Sequence, residues 1–110
     1  MAADAQSALS AALDRMWLAH LPELQERVNI LQASAQALAA GPLPANQQQA
    51  AESAAHKLVG VLGTFGLTRG TVLARELEIV YSHQDHPESD LTERLAVLTA
   101  ELRTIVASRS

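Results

Sequence analysis

The chain has 110 residues, which is the size of one small domain, because a second independent hydrophobic core would not fit. Twelve acidic and eight basic residues give a net charge of −4, and no cluster of Lys or Arg is present to neutralise a run of phosphates. These numbers argue against nucleic acid as a partner. The absence of cysteine excludes a disulfide framework, a thiolate nucleophile and a Cys-ligated metal site, and it fits a reducing compartment.

The apolar residues are mainly helix formers. The sequence holds 21 alanines and 17 leucines but only one Phe, one Tyr and one Trp, whereas β-rich folds depend on β-branched and aromatic residues. The first seven residues include Asp4 and no Lys or Arg, so they lack the positive n-region of a secretory signal. The longest uncharged run, 28–51, contains Gly41, Pro42 and three consecutive glutamines and does not predict a membrane span. We expect a cytoplasmic all-α domain that makes no contact with a membrane.

The N-terminal third of the chain predicts two helices. Apolar residues at spacings of three and four mark a short N-terminal helix over 5–19 and a second helix over 22–40. Pro22 lacks a backbone donor and is best tolerated in a first helical turn, so it predicts a break or kink near Leu21.

Three further helices follow the Gly-Pro segment that ends the second. Asn46 is the predicted N-cap of a third helix that runs to Phe65, where Gly66 ends it. A fourth helix is predicted over 68–82, and after the loop-like segment 83–89 a last helix over 90–107 begins with a capping-box pattern.

This order of elements predicts the fold. Residues 1–110 form one antiparallel up-and-down four-helix bundle, with the additional short N-terminal helix covering one end. The alternative is a coiled coil between chains, but apolar stripes of only two or three heptads, interrupted by Gly and Pro, support it less well. We expect a monomer.

The third predicted helix carries the candidate site. At about 100° per residue, His56 lies directly opposite the apolar stripe of this helix. Gly60 and Gly63 lie beside His56 on the outward face, and the preceding turns carry Gln49, Glu52 and Ser53. Each glycine costs about 1 kcal/mol of helix stability relative to alanine, and clearance for a docking partner explains this cost better than helix packing does. An exposed, unprotonated imidazole is a competent nucleophile.

Three motifs between residues 55 and 78 resemble a known family: A-H-K-L-V-G at 55–60, G-T-F-G-L at 63–67 and L-A-R-E-L-E at 73–78. Together they are similar to the histidine-containing phosphotransfer (HPt) domain of two-component phosphorelays, especially to the form found in multidomain bacterial response regulators. The resemblance implies a stoichiometric phosphoryl carrier, not an enzyme. It implies that Nε2 of His56 accepts the phosphoryl group from a receiver-domain aspartate or a histidine kinase and passes it to another receiver aspartate. It also implies that the chain needs no cofactor, because Mg²⁺ sits in the partner receiver domain.

The sequence departs from the family pattern at one position. The family often has Lys three residues after the histidine, where its charge steadies the phosphoryl oxygens, but Val59 stands there in this chain. Lys57, the only lysine, lies about 100° around the helix from His56 and is our candidate for the missing charge. Six residues are predicted to contact the partner domain: Gln49, Glu52, Ser53, Val59, Gly60 and Gly63.

One alternative function stays open on the sequence alone: a phosphorylation-independent helical interaction or dimerisation module of the same shape, which the absence of Lys at position 59 allows. His83 and His86 form an H-x-x-H pair in a predicted loop, but two ligands do not define a metal site, so we predict none.

Overall fold

The computed structural model describes residues 2–82 and 89–109. This part of the chain contains four helices and no strand, which confirms the all-α prediction. The helices are α1 (Ala2–Ala40), α2 (Ala45–Thr64), α3 (Thr68–Ser82) and α4 (Ser89–Ser108). Each helix packs against two neighbours, so α1 lies diagonally across the bundle from α3, and α2 from α4.

The predicted separate N-terminal helix over 5–19 is wrong, because α1 continues through Pro22 without a break. Pro22 removes one backbone hydrogen bond, and the carbonyl that loses its partner belongs to Leu18, which is exposed and open to water. Trp17 and Leu24 are both buried and anchor the helix on either side of the proline. Packing of the two flanking turns therefore outweighs the local preference for a break.

The N-terminal part of α1 still covers one end of the bundle, as predicted for the shorter helix. The Trp17 ring meets Phe65 edge to face, with centroids 5.2 Å apart. The Arg109 guanidinium lies 5.2 Å from the centre of the Trp17 ring and donates a hydrogen bond to Asp14. These contacts tie the N-terminal half of α1 to the C-terminal ends of α2 and α4.

The connection between α2 and α3 fixes how these two helices face each other. Gly66 has φ 72°, a left-handed conformation that glycine adopts at little cost, and it ends α2 as predicted. The amides of Gly66 and Leu67 donate to the carbonyls of Gly63 and Leu62, which is the Schellman pattern. At the opposite end, Gln48 Nε2 donates to the Tyr81 carbonyl at 3.0 Å. The two helices are thus held antiparallel at both ends.

The start of α2 differs from the prediction. Asn46 lies inside the helix, and Pro44 holds the N-cap position without a side-chain hydrogen bond. The Pro44 carbonyl accepts the first two helical bonds, from the amides of Gln47 and Gln48. Because proline has a fixed φ and no donor to leave unpaired, it starts this helix two residues earlier than a cap at Asn46 would.

Ion pairs join α3 to α4 on the side of α3 away from α2. Arg69 binds Glu101 at 3.0 Å, and Arg94 binds Glu76 at 3.2 Å. The hydrogen bonds from Arg69 hold the pKa of Glu101 below its ordinary value. No helix in the described part of the chain combines the length and apolarity needed to cross a bilayer.

Candidate functional site

His56 lies on the outward face of α2, as the helical periodicity predicts. The stripe opposite it is buried in the core, at Ala51, Ala54, Leu58 and Leu62, with Phe65 half-buried. The His56 side chain is 74% exposed. The packing that folds α2 onto the bundle is therefore also what presents the imidazole to solvent.

A carboxylate from α3 holds one nitrogen of the His56 ring. Nδ1 of His56 lies 2.5 Å from Oε2 of Glu78, whose side chain is only 22% exposed. A carboxylate can only accept hydrogen bonds, so the ring carries its proton on Nδ1 and donates it to Glu78. The contact with the less exposed Glu78 side chain orients the ring and leaves Nε2 on the solvent side. In the neutral ring, this arrangement makes Nε2 the nitrogen that faces solvent with a free lone pair.

The register of α2 against α3 sets this contact. His56 meets Glu78 at one level of the helix pair. Gly63 stands seven residues after His56, and Thr71 stands seven residues before Glu78. A Cβ atom added at Gly63 would lie 3.9 Å from Oγ1 of Thr71. The two contacts agree, so residues equally far after His56 and before Glu78 lie at the same height along the bundle.

The predicted glycines are open on the outward face. A Cβ at Gly60 would meet no atom within 4 Å, and the contact of Gly63 with Thr71 is an ordinary van der Waals distance. Neither glycine is therefore required for close packing between helices. Val59, by contrast, is half-buried and packs against the hydrophobic core.

The remaining predicted site residues divide between the two sides of His56. Gln49 and Glu52 line a depression of about 480 Å³ on the α3 side, together with Tyr81. Ser53 and Lys57 line a groove of about 390 Å³ on the α1 side, where the other lining residues are Glu23, Glu26, Arg27, Ile30, Ala50 and Ala54. The structure thus groups Lys57 with acidic residues of α1, and Glu78 with the ring of His56.

Glu78 is a site residue that was not predicted from the sequence. It stands at the end of the motif L-A-R-E-L-E, which carried the resemblance but had no assigned role there. Its pairing with His56 depends on the register across the turn at Gly66. The available signal is that a histidine and a carboxylate stand at similar distances before and after this glycine.

No three His, Asp or Glu side chains within residues 2–82 and 89–109 come together in a way that could hold a metal ion. His83 and His86 lie outside the described residues.

Comparisons with known proteins identify the family of this chain. The family model of the Hpt domain matches residues 13–108. Protein RcaC from Microchaete diplosiphon is 37% identical over 75 residues, which are 68% of this chain and 12% of that protein. The chain therefore spans only a small part of the length of this relative. No solved structure matches the chain. Since the family match covers most of α1, all of the other three helices and the exposed His56, the chain belongs to the Hpt domain family, whose members carry out phosphotransfer.

Proposed function

We propose that the chain accepts a phosphoryl group on Nε2 of His56 and passes it to the aspartate of a receiver domain. The observation that carries this proposal is the bond between Nδ1 of His56 and Glu78, on a side chain that is otherwise exposed. In the neutral ring, this bond leaves Nε2 with a free lone pair and open to a second protein. The donor is a histidine kinase or the phospho-aspartate of another receiver domain, since Hpt domains act with these partners.

Phosphoryl transfer from a receiver aspartate requires no proton to leave the imidazole ring of His56. The lone pair on Nε2 attacks phosphorus, and the bond between phosphorus and the aspartate oxygen breaks, with its electron pair leaving on the carboxylate. The imidazole becomes positively charged and keeps its Nδ1 proton. Glu78 offsets this positive charge, which lowers the energy of the phosphorylated ring and of the transition state that leads to it.

The carrier acts stoichiometrically, and the chain itself needs no cofactor. Mg²⁺ belongs to the receiver domain, where it would offset charge on the phosphoryl oxygens, and no residue of this chain is assigned to it. We further propose that the chain works as a cytoplasmic monomer that meets its partners one at a time.

Exchange of phosphate with receiver domains tests this function. The chain is first phosphorylated with phosphoramidate, whose N–P bond breaks as ammonia leaves, and is then mixed with each receiver domain of its own organism. We expect a phosphohistidine that mass spectrometry places on His56 and that at least one receiver removes. Phosphate on another residue, or a phosphohistidine that no receiver removes, would show that the proposal is wrong.

The partner docks, in this proposal, on the six residues around the histidine: Gln49, Glu52, Ser53, Val59, Gly60 and Gly63. The open space beside the two glycines supports this assignment, because the rim of a receiver active site must approach within bonding distance of His56. Val59 adds a half-buried apolar edge to the same face.

A Gly63→Leu variant separates docking from folding. Leucine gains up to about 1 kcal/mol of helix propensity over glycine, yet it places a branched side chain where the partner approaches. We expect unchanged or raised stability in urea unfolding, and slower phosphoryl transfer from a phosphorylated receiver. Gly63→Ala, whose Cβ makes only an ordinary contact with Thr71, is the matched control and should transfer at the parental rate. Loss of stability in Gly63→Leu with unchanged transfer would remove Gly63 from the docking surface.

A further inference from the structure

Phosphorylation of His56 creates a charge that the residues in contact with it do not balance. A phosphoryl group brings between one and two negative charges close to the carboxylate of Glu78, which already faces the ring. The α2 side chain three residues after His56 is Val59, which is apolar and half-buried. A cation near the phosphoryl oxygens must therefore come from elsewhere on the surface.

Most basic residues are already engaged. Of the eight Lys and Arg residues, five bind side chains of other residues: Arg27, Arg69, Arg94, Arg103 and Arg109. Within residues 2–82 and 89–109, Arg15, Lys57 and Arg75 make no ion pair or side-chain hydrogen bond. These three are the candidates.

The position of each candidate distinguishes them. Arg15 lies on α1, which does not pack against α3, and it belongs to the exposed side of that helix. Lys57 lines the groove on the α1 side of α2, where Glu23 and Glu26 are the acidic lining residues. Arg75 is exposed on α3, in the same helix as Glu78.

The helix register places Arg75 beside the site. Arg75 stands three residues before Glu78, and Val59 stands three residues after His56, so the two lie at the same height across the α2–α3 seam. A separation of three residues is about 4.5 Å along the helix axis and about 60° around it. This rotation places Arg75 further toward solvent than Glu78. An arginine side chain is long enough to cross this one turn toward the exposed ring of His56.

We propose that Arg75 binds the phosphoryl oxygens of phosphorylated His56, so that the positive charge of the site comes from α3. This inference rests on the proposed function of His56. Guanidinium suits the role because it stays charged at every relevant pH and presents paired N–H donors that match phosphate oxygens. Arg75 and Glu78 then act as a pair, one on the phosphoryl group and the other on the ring.

Phosphorus NMR of the full chain, phosphorylated with phosphoramidate, tests the contact without a partner protein. A cation at the phosphoryl group favours its dianion and so lowers its affinity for a proton. We expect Arg75→Gln to raise that proton affinity about two- to fivefold, the range for an exposed ion pair. Arg75→Lys should restore much of the difference, because it keeps the charge. A purely structural role for Arg75 would not move this titration.

Matched variants make the result decisive. Arg15→Gln removes an unpaired cation on α1 and should leave the titration at the parental position. Lys57→Gln removes the cation that the sequence predicted for this role, and it should shift the titration less than Arg75→Gln does. An Arg75→Gln titration that matches the parent, or a Lys57→Gln shift as large as that of Arg75→Gln, would overturn the role of Arg75 while His56 remains the acceptor. A parent chain that forms no phosphohistidine, or forms it equally in His56→Gln, would instead overturn the proposed function, and the inference with it.

Discussion

A His56→Gln variant is expected to fold like the parent and to accept no phosphoryl group. The His56 side chain is 74% exposed and stands opposite the buried stripe of α2, so its replacement removes little packing. We expect the free energy of unfolding to stay within about 0.5 kcal/mol of the parent value, as for most surface substitutions. Glutamine has no nucleophilic nitrogen, so acceptance from phosphoramidate and from a phosphorylated receiver is lost together.

Urea unfolding and mass spectrometry of the phosphorylated chain check the two halves of this expectation. His20→Gln is the matched control, because His20 is also an exposed histidine but lies on α1 near Phe65, away from Glu78. It should accept phosphate at the parental level. Phosphohistidine that persists in a folded His56→Gln chain would mean that another histidine is the acceptor.

Much of the fold follows from local patterns. The apolar spacing of α2 places His56 outside and Leu58 and Leu62 inside, and the structure confirms this. Gly66 ends α2 where the sequence predicts, because a left-handed residue is needed at that point and glycine adopts it at least cost. Such features depend on a few neighbouring residues, which the sequence shows directly.

The structure differs from the sequence-based predictions where packing between residues far apart in the sequence determines the local conformation. Pro22 predicts a break by its own chemistry, but Trp17 and Leu24 pack on the bundle and hold α1 continuous. Local preference cannot reveal that balance, since it depends on burial against other helices. The start of α2 at Pro44 rather than at Asn46 is a smaller difference of the same kind.

The candidate site divides in the same way. His56 and its two open glycines come from one helix, and their arrangement follows from its period. Glu78 comes from the next helix, and its contact with His56 requires the α2–α3 register, which a shift of one residue would destroy. The exposed position of His56 was therefore predictable from the sequence, whereas the carboxylate that contacts its ring was not.

A Glu78→Ala variant is expected to slow phosphoryl transfer about 10- to 100-fold, by analogy with the loss of a carboxylate that orients a metal-binding histidine. Two effects contribute. The ring is no longer held with its proton on Nδ1, so Nε2 is less often the free nitrogen, and the positive charge that forms on the ring has no counter-ion. Glu78→Gln keeps an oxygen that can accept the Nδ1 proton but removes the charge, so its rate should lie between those of the parent and Glu78→Ala.

The measurement is the rate of phosphate loss from a phosphorylated receiver domain, together with nitrogen NMR of the His56 ring. Glu76→Ala is the matched control, because it removes a carboxylate from α3 that binds Arg94 on the side away from His56. We expect Glu76→Ala to transfer at the parental rate and to keep the Nδ1 proton of His56, while Glu78→Ala transfers more slowly and holds the ring proton on Nδ1 less often. A Glu78→Ala variant that transfers as fast as the parent, with the ring proton still on Nδ1, would show that Glu78 does not prepare Nε2 for attack.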